Sequence, residues 1–325
     1  MHSNLRPSEL LHRYSTPARL PARGRSTMAE LGRLLTAMVT PFTEEGDVDY
    51  PRARDLAKAL LKSGSDGLVI GGTTGEAPSM SDDELLQLFA EVKEAIGDGG
   101  AVVAGTTNNN TRGSITLSRE AENVGVDALL LTVPAYNKPT MGGLYQHFTA
   151  IADSVSIPGI LYNVPSRTAL NMDAATTLRL AEVPNIVGVK EASSDPDQIA
   201  YVIKDSPDDF NVWSGNDNEL FATLATGGYG IVSVAGNIIS GQIQKMIGLV
   251  LEGDVEAAAT EHLRLLPIFN ALFFITNPIP VRYAMNRSGF NVGPPRLPMV
   301  PEPAELEAFS RRFDPIMDQY SIDLS

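Results

Sequence analysis

Cysteine is absent from the chain, which excludes disulfides, thiolate nucleophiles, iron–sulfur ligation and sulfur-bound zinc. Histidine is scarce. His2, His12, His147 and His262 show no i, i+4 pair of the kind that grips a metal from one helix face, so they read as solvated or capping residues and no metal is expected. Basic residues are outnumbered: 25 Lys and Arg face 39 Asp and Glu, for a formal net charge of -14. Such a surface repels phosphate backbones and anionic headgroups, so nucleic acid and membrane are not expected partners. Long apolar runs are missing too, because Gly, Pro or charge interrupts each one before the roughly 20 residues that cross a bilayer. A soluble, cytoplasmic protein is the expectation.

Residues 1–27 stand apart. Arg6, Arg13, Arg19, Arg23 and Arg25 face a single acid, Glu9, among Ser, Thr and Pro. An organelle transit peptide and a leader before a start at Met28 both fit this composition. Pro7, Pro17 and Pro21 work against an amphipathic targeting helix and favour the leader.

What the chain does have is a repeated alternation. Apolar, β-rich runs occur at 34–40, 67–72, 101–106, 128–134, 159–165, 186–192, 211–216 and 230–236. Between them lie segments of helical period, such as Ala53-Leu56-Ala57-Leu60-Leu61 and Leu85-Leu88-Phe89-Val92-Ile96. The runs are continuously apolar, as strands buried on both faces of a parallel sheet must be. Eight such units predict a (β/α)8 TIM barrel over residues 28–237. An open doubly wound sheet is the competitor, but no G-x-G-x-x-G follows the first strand. Residues 238–325 read as a C-terminal helical extension packed on the barrel, with helices expected at 240–251, 255–274 and 304–320. Asn277-Pro278-Ile279-Pro280 breaks the pattern between them.

In a barrel of this kind, reacting groups sit where strands end at the C-terminal face. Lys190 closes the run Ile186-Val187-Gly188-Val189. An amine desolvated there loses its proton more easily and attacks ketones. A lysine snorkelling outward or paired with Glu191 fits the same run. Gly71-Gly72-Thr73-Thr74-Gly75-Glu76 offers hydroxyls and successive N–H groups to a carboxylate, or is a plain Gly-rich loop. Tyr162 and Arg167 close the fifth run, where a phenol serves as an acid/base or as packing, and a guanidinium holds a carboxylate or sits in solvent. Tyr136 follows the fourth run in a Pro-flanked loop that either projects it or merely turns the chain.

Taken together, Gly72-Thr73-Thr74-Gly75-Glu76, Leu161-Tyr162-Asn163-Val164-Pro165, Gly188-Val189-Lys190-Glu191-Ala192 and Asn277-Pro278-Ile279-Pro280 resemble, in order and spacing, the dihydrodipicolinate synthase/N-acetylneuraminate lyase superfamily over about residues 33–300. The resemblance implies a Schiff-base enzyme without cofactor, in which Lys190 condenses with pyruvate and Thr74 clamps its carboxylate. It further implies a proton relay of Tyr162, Thr73 and a tyrosine from an adjacent subunit, here Tyr136, in a homotetramer built as a dimer of dimers. Gly215 and Val232 match positions that line the site through their backbones. Arg167 in Pro165-Ser166-Arg167-Thr168 points to members that join pyruvate to L-aspartate 4-semialdehyde for lysine and diaminopimelate biosynthesis. The alternative is the branch that releases pyruvate from N-acetylneuraminate or 2-keto-3-deoxy sugar acids. One departure is Ala135, where family members usually carry a second tyrosine beside Tyr136.

Overall fold

A computed structural model describes residues 31–322 and 324. The expected leader, residues 1–27, lies outside the described residues. Eight parallel strands close on themselves in sequence order: β1 Leu34–Ala37, β2 Gly67–Ile70, β3 Ala101–Gly105, β4 Ala128–Thr132, β5 Gly159–Asn163, β6 Ile186–Glu191, β7 Asn211–Ser214 and β8 Gly230–Ser233. β1 pairs β8 with Leu35 opposite Val232, and this seam removes both free edges. Each strand is shorter than its apolar run. The last residues of the runs leave the ladder and form the loops at the C-terminal face.

Around the barrel lie α1 (Tyr50–Lys62), α2 (Asp82–Ile96), α3 (Thr111–Asn123), α4 (Met141–Ala152), the short α5 (Pro165–Thr168), α6 (Ala174–Leu180), α7 (Pro196–Asp205), α8 (Leu220–Ala225) and α9 (Gly236–Glu252). Side-chain caps start most of them. Asp49, Asn110, Thr140, Asp173 and Asp195 each accept from first-turn N–H groups, and Ser81 with Glu84 forms a capping box. The predicted stripes are the buried ones, with Ala53, Leu56, Ala57 and Leu60 on α1 and Leu85, Leu88, Phe89 and Val92 on α2.

Apolar side chains separate into two bodies. One lies between barrel and helices, and the other, including Leu35, Val69, Val103, Leu130, Ile160, Trp213 and Val232, fills the barrel interior. Trp213 is fully buried, and its Nε1–H donates to the Gly32 carbonyl at the N-terminal end of the barrel (3.0 Å). A side chain at Gly188 would meet the Trp213 ring at 2.5 Å, so glycine is required for that ring to seal the floor.

α10 (Val255–Ala271), α11 (Ile279–Arg287) and α12 (Pro303–Met317) follow. The sequence pattern did not anticipate α11. Asn277-Pro278-Ile279-Pro280 starts a helix instead of only ending one, because proline in a first turn sacrifices an N–H that has no partner there anyway. α11 carries Arg282, 1% exposed, which donates to the Thr40 carbonyl (2.6 Å) and lies 3.2 Å from Glu76 Oε1. That contact is ionic without hydrogen-bond alignment, since Glu76 Oε1 and Arg282 Nε make no hydrogen bond. Burial raises the Glu76 carboxyl above its ordinary range and lowers Arg282 to about 10. Among the described residues, no helix is long and apolar enough to cross a membrane.

The two described histidines are packed, not solvated or capping. His147 is buried with Nδ1 hydrogen-bonded to Thr111 Oγ1 (2.8 Å), and His262 contacts Phe221 and Phe269. Among the described residues, no group of three or more His, Asp or Glu is arranged to hold a metal ion.

Removing one partner of a buried ion pair leaves the other charge uncompensated, so Glu76→Ala is expected to lower unfolding free energy by about 3–5 kcal/mol. Arg282→Met should cost at least as much in the same denaturant titration, because it also leaves the Thr40 and Pro294 carbonyls without their donor. An unchanged midpoint for Glu76→Ala would show that the pair does not join α11 to the barrel.

Candidate active site

One cavity of about 520 Å³ opens at the C-terminal face. Its lining includes Thr73, Thr74, Tyr162, Arg167, Lys190 and Gly215 together with Val164, Val234, Phe273, Ile275 and Asn277. Six of the eight expected site residues therefore meet around one space. Tyr136 and Val232 do not.

Lys190 points into the barrel because of a bulge. β6 pairs β5 with Ile186 opposite Gly159 and then Gly188 opposite Ile160, so Val187 is the extra residue. Ile186 faces the helices and Val187 the interior, yet Val189 faces the helices again. The slip changes parity and aims Lys190 inward, between Tyr162 on β5 and Trp213 on β7. Without it the lysine would enter the helical layer. Glu191 takes that outward place instead, buried with Asn163 and Gln198 hydrogen-bonded to its carboxylate. It is not the partner of Lys190.

Lys190 is 5% exposed, and its Nζ lies 4.2 Å from the centroid of the Tyr162 ring. Desolvation pulls its pKa down to about 7; Asp217 opposes the fall and Arg167 adds to it. An appreciable fraction of neutral amine is therefore present at neutral pH, which a surface lysine lacks. Burial pushes Tyr162 up to about 12, with Arg167 opposing, so the phenol keeps its proton and acts first as a donor. A protonated phenol and an amine that is in appreciable part deprotonated thus face the space where a carbonyl would react.

The Gly71–Glu76 loop supplies the hydroxyls. Gly71 has φ +67°, and Gly105 lies so close to the Gly71 carbonyl that a Cβ there would collide with it. The loop consequently folds tightly over β3 and brings Thr73 and Thr74 to the cavity. Thr74 is 4% exposed and accepts a hydrogen bond from Asn277 Nδ2 (3.0 Å). Arg167, on α5, stands exposed at the mouth and donates from Nη2 to the Asn277 carbonyl (3.2 Å).

Val232, expected to line the site through its backbone, is not among the residues that border the cavity. It is fully buried in the interior layer beneath the cavity, and Val234, two residues on, lines the space. The strand ends at Ser233, so the wall of the site begins past it. Tyr136 is 90% exposed at φ +70°, outside the cavity of its own chain. Asp217 escaped the sequence reading although it closes the polar stretch Ser214-Gly215-Asn216. It is 2% exposed, hydrogen-bonded to Ser233 Oγ and to the N–H groups of Val234 and Ala235 (3.1 Å each), which fixes the β8 loop against β7.

The arrangement offers an amine able to attack a carbonyl carbon, a phenol able to protonate the resulting oxygen, and donors at either end for anionic groups. Imine formation with pyruvate is expected to rise with pH through about 7 and level off above it, since only the deprotonated amine attacks. Asp217→Asn removes a charge that favours the ammonium, so the midpoint should move to lower pH. Rates of borohydride trapping across pH 5–9 measure it, and an upward or absent movement would sink the assignment.

The sequence model of the Dihydrodipicolinate synthetase family matches residues 30–310. A 4-hydroxy-tetrahydrodipicolinate synthase from Moorella thermoacetica is 54% identical over 269 residues, 83% of this chain and 92% of that protein. The crystal structure of a dihydrodipicolinate synthase from Bacillus anthracis superposes with a TM-score of 0.87 at 38% identity, covering 90% of this chain and 99% of that one. For the chloride-inhibited dihydrodipicolinate synthase of Acinetobacter baumannii complexed with pyruvate, the TM-score is 0.84 at 35% identity, over 88% of this chain and 99% of that one. Since the match runs through every barrel strand and the loops that form the cavity, this chain belongs to the dihydrodipicolinate synthetase family.

Proposed function

We propose that the protein catalyses the 4-hydroxy-tetrahydrodipicolinate synthase reaction, condensing pyruvate with L-aspartate 4-semialdehyde through a Schiff base on Lys190. The observation that carries this reading is the buried amine, lowered to about 7 by desolvation, in a cavity whose mouth holds the Arg167 guanidinium. Lys190 Nζ adds to C2 of pyruvate, Tyr162 protonates the carbonyl oxygen, and water leaves to give the imine. Loss of a proton from C3 gives the enamine, which adds to the aldehyde carbon while that oxygen takes up a proton. The substrate amine then attacks the imine carbon, and its C–N bond replaces the one to Lys190 as the ring closes. One water is released and no oxidant or reductant is consumed. Family membership supports the substrates.

In this reading Thr74 and adjoining N–H groups hold the pyruvate carboxylate, Arg167 holds that of the aldehyde, and Thr73 passes protons with Tyr162. Gly215 lines the wall through its backbone. The barrel and the C-terminal helices act as one catalytic unit, because Phe273 and Asn277 border the same cavity. A cytoplasmic setting accompanies this biosynthetic role.

Borohydride with pyruvate is expected to leave a carboxyethyl group on the Lys190 peptide and none in Lys190→Ala. Arg167→Ala should keep that adduct yet lose about 10–100-fold in kcat/KM for the aldehyde, the range set by one charged hydrogen-bonding contact. Turnover of N-acetylneuraminate or 2-keto-3-deoxygluconate in place of the condensation would replace the substrate assignment.

Tyr136 completes the relay from a second copy in this reading, with a dimer as the smallest fully active unit and a dimer of dimers as the assembly. Its exposure and left-handed backbone, uncommon for an aromatic residue, support a role at an interface. Mixing inactive Tyr136→Phe and Lys190→Ala subunits should restore part of the activity. Persistent inactivity despite subunit exchange would rule out a shared site.

A further inference from the structure

Asn277 opens the segment leading into α11, outside the eight barrel units, yet its side chain ends inside the site. It is 3% exposed, and its Nδ2 reaches Thr74 Oγ1 across 203 positions of sequence. Its backbone carbonyl separately accepts from Arg167 Nη2. The placement is held from both sides: Glu76 follows Thr74 by two residues, Arg282 follows Asn277 by five, and these two form the buried ion pair.

A threonine hydroxyl has one proton to donate and two lone pairs to accept with. The Asn277 amide uses one lone pair and cannot accept the proton through its nitrogen. Among the described residues Thr74 Oγ1 makes no other hydrogen bond. The hydroxyl proton is therefore free to turn into the cavity that Thr74 lines. Resting on the reaction proposed above, we infer that Asn277 is a positioning residue: its side-chain amide orients the Thr74 hydroxyl as a donor to the carboxylate of the bound 2-keto acid. An amide turned the other way would accept the Thr74 proton through Oδ1 and leave the ligand none. The two orientations make opposite forecasts for an aspartate, which only accepts when ionised.

The readout is the pyruvate concentration that half-saturates borohydride trapping at Lys190, beside the KM for the aldehyde at saturating pyruvate. Losing one oriented neutral hydrogen bond should raise half-saturation about 10-fold in Asn277→Ala. Thr74→Val should do the same, and the double variant should be no worse than Thr74→Val alone, because the two residues act through one bond. Asn277→Asp should be weaker still, since it captures the hydroxyl proton and sets a like charge beside the carboxylate. The aldehyde KM should stay within about twofold in each Asn277 variant, because the carbonyl that meets Arg167 belongs to the main chain and survives substitution.

Circular dichroism and thermal midpoints establish that each variant is folded; if Asn277→Ala is not, Asn277→Ser takes its place in the cycle. Multiplying effects in the double variant, a wild-type response from Asn277→Asp, or equal losses for both substrates would each overturn the inference. Absence of any pyruvate adduct on the wild-type protein would instead overturn the proposed reaction.

Discussion

A primary amine held away from water inside a closed sheet is the constraint on which the rest of this molecule depends. In solvent, Lys190 would carry a proton at neutral pH and attack nothing. The barrel removes the solvent. Its seam leaves no edge for water to enter between β1 and β8, Trp213 seals the floor, and Gly188 makes room for that ring. The same desolvation works in opposite directions on the two central groups, lowering the amine to about 7 and raising the phenol to about 12. The phenol keeps its proton and an appreciable fraction of the amine has lost its own, which lets them meet a carbonyl as proton donor and nucleophile. Asp217 tempers the effect. It raises the amine while its own carboxylate is held by three donors from the β8 loop.

A desolvated amine needs a ligand held over it, and here the barrel is not sufficient. The hydroxyl loop after β2 is tied to α11 by Glu76 and Arg282, whose pairing is nearly absent from solvent. Burying two charges is costly even when they are paired, and here Arg282 also donates to the Thr40 and Pro294 carbonyls while Glu76 accepts from the Arg296 N–H. Loss of either partner would leave the other charge buried and unpaired, which is penalised heavily. With loop and helix joined in this way, Asn277 reaches Thr74. The C-terminal helices are in this sense a wall of the site and not an appendage.

Much of this was legible in the sequence wherever a single residue contradicted its neighbours. Lys190 stood out as a charge closing an apolar run, and the Thr-Thr pair as hydroxyls between glycines. The strands were legible because burial on both faces erases alternation. Features that depend on register were not. Nothing in Ile186-Val187-Gly188-Val189-Lys190 marks Val187 as the bulged residue, although that bulge decides which way the lysine points. The step from Val232 to Val234 was not legible either: it keeps the same face while moving past the end of the ladder from core to cavity wall. Asn277 could be seen in its motif, but its partner lies 203 residues away, and only the folded chain brings them together. Proline misled in another way: read as a terminator, it starts α11.

The depth of each group also orders the chemistry proposed for this cavity. Thr74 and Lys190 are 4% and 5% exposed, whereas Arg167 stands exposed at the mouth. In the proposed reaction this places the keto acid, at Thr74 and Lys190, deeper than the aldehyde carboxylate at Arg167. The two donors have a common support: Asn277 touches Thr74 through its side chain and Arg167 through its carbonyl. A single residue thus touches both donors, and in the proposed reaction the new carbon–carbon bond forms between the groups they hold.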